Sequence, residues 1–163
     1  MKSPGEALEI AKGYWNKVPV DVFALAGELD LGPKFEVLDD NISGLIRRKA
    51  DGDWQIVINH FHATVRQRFT CAHEIGHFIF HRDLLKDGVS DTLAYRADGV
   101  ELPNPSIGPQ QERQANNFAA NLLVPNAWLK AAQTAGFSTK ELATHFNVSE
   151  TVMKIKLGLP LNG

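Results

Sequence analysis

The chain has 163 residues, 44% of them hydrophobic, a formal net charge of −2 and a single cysteine, Cys71. This length suits one well-buried core with a small appendage, the near-neutral balance gives no overall pull toward a polyanion, and one cysteine excludes an internal disulfide framework. The opening MKSPGEALEI has no apolar signal segment, and no stretch approaches the roughly 20 apolar residues of a membrane span, so a cytoplasmic protein without membrane association is expected.

Ser3, Pro4 and Glu6 form a capping box with proline at the first helical position, which predicts a helix carrying Ala7, Leu8, Ile10, Ala11, Tyr14 and Trp15 and ending before Pro19. A second short helix is expected over Val22 to Leu29, stopped by Asp30-Leu31-Gly32-Pro33. Phe35, Val37, Ile42, Leu45 and Ile46 read as strand. Asp51-Gly52 is a turn, and Trp54, Ile56 and Ile58 then alternate with Gln55, Val57 and Asn59. A small antiparallel sheet ending near Asn59 follows from this pattern, with the strand Gln55 to Asn59 at the edge of a cleft, open to an extended substrate.

From His62 to Phe80 the periodicity is helical. The stretch from Arg82 to Pro109 contains Gly88, Gly99, Pro103, Pro105, Gly108 and Pro109 and reads as a long irregular connection, a length that usually serves as a cover. Helices are then expected from Gln110 to Pro125 and around Trp128, Leu129 and Ala132. A second capping box, Ser138-Thr139-Lys140-Glu141, opens two short helices with the outline of a helix-turn-helix.

The chemistry lies in His73-Glu74-Ile75-Gly76-His77. On a helix the two histidines are one turn plus about 40° apart, so both imidazoles can reach one ion, and two imidazoles suit zinc. Glu74 stands about 100° around from His73, beside the ion without ligating it, where it can take a proton from an activated water. A bare H-E-x-x-H can also decorate a solvated helix face. Against that, Phe69, Ala72, Ile75, Phe78 and Ile79 mark a largely buried helix, and buried His and Glu need partners or a metal.

A catalytic zinc normally has three protein ligands. His81 lies about 12 Å along the axis from His73, too far to share the ion on a straight helix; it is read as ending the helix, shaping the pocket or bonding a neighbouring loop. Glu112 is a candidate on the following helix, with Asn116 one turn behind it, placed to accept a second ring N–H from a ligand histidine. Spacing alone weighs equally for an ordinary first-turn glutamate favoured by the helix dipole.

The runs R-Q-R-F-T-C-A-H-E-I-G-H-F-I-F-H and E-R-Q-A-N-N-F-A-A-N-L-L-V-P resemble the ImmA/IrrE metallopeptidases, as do I-V-I-N, Ile42-Ser43-Gly44 and the terminal F-N-V-S-E-T-V-M-K-I-K-L. The resemblance implies an α+β fold: a zincin-like domain over residues 1–135 with a small antiparallel sheet, and a helix-turn-helix-like module over 136–163 packed on it. It implies Zn2+ held by His73, His77 and Glu112, Glu74 as general base, and cleavage of an Xre-type helix-turn-helix repressor that lifts repression of stress, phage, mobile-element or defence genes. Cys71 stands where such sequences usually carry an aliphatic residue and is read as a buried, inert thiol.

Two other readings stay in view: a DNA-binding regulator using the terminal module, whose second helix offers only Lys154 and Lys156 to phosphates, and a repressor-binding scaffold without turnover. For the oxyanion donor the sequence leaves His60, His81, Tyr95 and Arg96 unranked.

Overall fold

The structure, a computed structural model, describes residues 2–85, the backbone of 90–91, and 106–161. Tyr95, Arg96 and most of the connection expected over 82–109 lie outside the described residues. Among the described residues, seven α-helices and four strands follow one another as α1 (Pro4–Gly13), α2 (Val22–Glu28), β1 (Lys34–Glu36), β2 (Gly44–Arg48), β3 (Trp54–Asn59), α3 (Thr64–Phe80), β4 (Ser90–Asp91), α4 (Pro109–Leu123), α5 (Asn126–Thr134), α6 (Thr139–Phe146) and α7 (Glu150–Leu157). This is the α+β zincin-like architecture expected. None of these helices is long and apolar enough to cross a membrane.

Both capping boxes form. Ser3 accepts from the Glu6 backbone while the Glu6 carboxylate accepts from the Ser3 N–H, and Ser138 and Glu141 repeat the arrangement at α6. Helix α1 stops at Gly13, and Tyr14–Asn16 continue as a 3-10 turn.

The sheet corrects the sequence expectation in two respects. Its order is β1-β3-β2-β4, and it is mixed: β2 pairs antiparallel with β3 and β4, but β1 runs parallel to β3 with Phe35 opposite Ile58. Strand β3 is therefore central, not at a cleft edge; the edges are β1 and β4. Val57 is buried along with Ile56 and Ile58. The interior position comes from the non-local pairing of Lys34–Glu36 with Val57–Asn59, which the local alternation of this strand does not encode.

Helix α3 lies against this sheet, and the approach is close. A Cβ on Gly44 of β2 would sit 2.6 Å from Thr70 Cγ2 of α3 and 2.5 Å from the Val57 carbonyl, so only glycine fits. Between β3 and α3, the buried Asn59 amide donates to the carbonyls of Leu38, Asp39 and Ile42 at 3.2, 3.1 and 2.9 Å, and its oxygen accepts from the Phe61 N–H. One side chain thus fixes both the loop before β2 and the entry to α3. The hydrophobic core runs from Ala7 and Leu25 through Phe78 to Phe146 and Met153.

Candidate metal centre

Every residue of α3 from Arg68 to Ile79 is buried. A helix enclosed on all sides must find internal partners for its polar side chains, and His73, Glu74 and His77 are 1%, 0% and 0% exposed. The side chain that the two histidines meet is Glu112, in the first turn of α4. His73 Nε2 lies 3.2 Å from Glu112 Oε2, His77 Nε2 lies 3.2 Å from Glu112 Oε1, and the two Nε2 atoms are 2.8 Å apart. One ligand-type atom from each of the three residues falls within 4.8 Å of the others.

What lets α4 come this near is Gly76, between the two histidines. A Cβ there would lie 3.1 Å from Phe118 Cδ1 and 3.3 Å from Ala115 Cα. The sequence offered Gly76 only as part of a motif; its role as the contact point of two helices needed the position of Ala115.

The electrostatics suit a divalent cation. Burial pushes the His77 imidazole down from 6.5 to about 4. Burial works to raise the Glu112 carboxyl, but hydrogen bonds and charge from His73 and His77 outweigh it and hold Glu112 at about 2. At neutral pH the group therefore contains an ionised carboxylate and a neutral imidazole, the states in which these side chains ligate. Two imidazole nitrogens and a carboxylate oxygen match the donor set of a catalytic zinc site that keeps one position open.

The surrounding residues hold the histidines by their other nitrogens. His73 Nδ1 lies 2.8 Å from Asn116 Oδ1, the contact anticipated from the one-turn spacing after Glu112. His77 Nδ1 lies 2.9 Å from His81 Nδ1, and His81 Nε2 lies 3.1 Å from Gln114 Oε1. His81 thus bonds a helix rather than a loop. No sequence signal pointed to Gln114, which occupies an exposed position on α4.

His60 and Cys71 are not part of this group. His60 is exposed and stacks edge-on against Phe61. Cys71 is fully buried with its sulfur 3.7 Å from the Val22 carbonyl, and burial pushes its thiol far up, consistent with an inert group.

The peptidase family described as IrrE N-terminal-like domain matches residues 35–158. Metallopeptidase ImmA of Bacillus subtilis (strain 168) is 30% identical over 118 residues, spanning 71% of this chain and 62% of its own length. A solved structure titled Mycobacterium tuberculosis transcriptional regulator superposes with a TM-score of 0.62 at 16% identity, covering 96% of this chain and 47% of that one. At that identity the likeness shows the fold alone. The chain thus spans 62% and 47% of the length of these two relatives.

Proposed function

Since the chain belongs to the IrrE N-terminal-like peptidase family, we propose that it is a zinc-dependent endopeptidase that cleaves an Xre-type helix-turn-helix repressor and so derepresses the genes that repressor silences. The observation that carries this reading is the meeting of His73, His77 and Glu112 from two helices. When bound, zinc supplies Lewis acidity, making a water acidic near neutral pH and polarising a peptide carbonyl. The chain's own residues do the rest.

His73 and His77 offer their Nε2 atoms, and Glu112 contributes the negative charge that partly offsets the cation. Glu74, one step around α3 from His73, takes the proton of the attacking water on its carboxylate and returns it to the leaving amide nitrogen. The burial of Glu74 keeps bulk water from competing for that proton. In this reading residues 1–135 carry the chemistry, and the module over 136–163 serves recognition of the protein partner.

Direct DNA contact through that module has less support. Of the two lysines on its second helix α7, Lys156 bonds the Asn121 side chain of α4 and is partly desolvated there, which leaves Lys154 on a helix that also carries Glu150.

The test is incubation of the zinc-loaded chain with a co-encoded Xre-type repressor, followed by mass spectrometry of the products. Cleavage by the wild type and none by Glu74→Gln, with zinc still bound, is the expected result. Cutting that survives Glu74→Gln overturns the mechanism; binding of the repressor without cutting by either protein favours a scaffold.

A further inference from the structure

Metal ligation through Nε2 requires the imidazole proton on Nδ1. For His73 this is arranged simply, because Nδ1 faces the Asn116 side-chain oxygen at 2.8 Å and donates to it. For His77 it is not. Its Nδ1 faces another imidazole nitrogen, His81 Nδ1, at 2.9 Å, and a hydrogen bond between two neutral rings has one proton, which either can own. If His81 owns it, His77 carries its own proton on Nε2, aimed at the place where the ion would sit, and cannot ligate.

The tie is broken one bond further out. His81 Nε2 lies 3.1 Å from Gln114 Oε1. With the Gln114 amide set oxygen toward the ring, the His81 proton stays on Nε2, so His81 Nδ1 presents a lone pair and His77 Nδ1 is the donor. We propose that His81 and Gln114 are positioning residues, a two-step hydrogen-bond relay from α4 to α3 that holds His77 in the tautomer that ligates. The arrangement is two-sided: α4 supplies Glu112 to the ion, Asn116 to the back of His73, and Gln114, through His81, to the back of His77.

This relay has a sharp chemical requirement at residue 114, namely an acceptor. Gln114 is exposed, so replacing it leaves the core undisturbed. Gln114→Met keeps the length of the side chain and removes the acceptor; Gln114→Glu keeps the acceptor. The inference rests on the metal reading above, and the measurements separate the two.

In the zinc-loaded full chain, long-range proton–nitrogen correlation spectra should place the His81 proton on Nε2 and the His77 proton on Nδ1. Zinc affinity, read by competition with a chromophoric chelator, should fall about 10- to 100-fold in Gln114→Met and return in Gln114→Glu. His81→Phe should cost as much as Gln114→Met, and the double substitution no more than either, because both break one relay. A wild-type chain that takes up no zinc sinks the metal reading. A wild type that binds zinc with the His81 proton on Nδ1, or a Gln114→Met chain with undiminished zinc affinity, overturns the relay alone.

Discussion

At the scale of single residues, the structure shows how few side chains hold the centre in register. Asn116 accepts from His73 at 2.8 Å, and Asn116→Ala is expected to weaken zinc binding by about 10-fold or more. Chelator competition checks this, and unchanged affinity would mean that packing alone orients the ring. Asn59 acts earlier in the chain. It is 0% exposed and bridges three carbonyls and an amide, so Asn59→Leu should cost about 1–3 kcal/mol in urea unfolding. The Asn116 contact was legible from sequence because helical spacing places it one turn after Glu112. His81 was legible as a residue that bonds a neighbouring element, but its partner Gln114 was not, because nothing in the α4 sequence marks Gln114 for a contact with α3.

Among the elements, the seam between α3 and α4 decides whether Glu112 can reach the histidines. Gly76→Val would put branched carbon where even a lone Cβ would stand only 3.1 Å from Phe118 and 3.3 Å from Ala115, forcing α4 outward. Zinc affinity and melting temperature should fall together; tight binding in this variant would show that α4 has room to give. At the far side, the Tyr14 hydroxyl donates to Glu28 Oε2 at 2.7 Å and links the end of α1 to α2. That hydrogen bond, with burial and the Glu28 charge, raises the phenol from 10.0 to about 12. A raised folded-state value means that the stabilisation is complete below pH 10 and is lost as pH rises through about 12. Of the two tyrosines in the chain, one should therefore ionise late in an ultraviolet titration, and Tyr14→Phe should abolish that late step. The helices were readable because their caps and apolar spacing agree. The parallel placement of β1 was not, because nothing local in Lys34-Phe35-Glu36 distinguishes a parallel neighbour from an antiparallel one.

Over the whole molecule, Arg68 ties three distant parts together. It sits on α3, is 6% exposed, and donates through Nε to the Asn147 carbonyl at 3.0 Å and through Nη2 to the Val20 carbonyl at 2.9 Å. Asn147 is the left-handed residue that closes α6, with φ of 52°, so the turn between the last two helices is anchored directly to the helix of His73 and His77. A planar guanidinium can serve both carbonyls at once, which an ammonium on a flexible stem does poorly. Arg68→Met is expected to lower stability by about 2–3 kcal/mol, and Arg68→Lys to recover little of it, as measured by denaturant midpoints.

The same contact imposes an order in time. As the chain leaves the ribosome, Val20 and Arg68 are both present while Asn147 has still to be made, and the guanidinium has one of its two carbonyls. A chain halted before α6 would carry His73, Glu74, His77 and Glu112 without the Asn147 carbonyl that Arg68 Nε bonds in the folded protein.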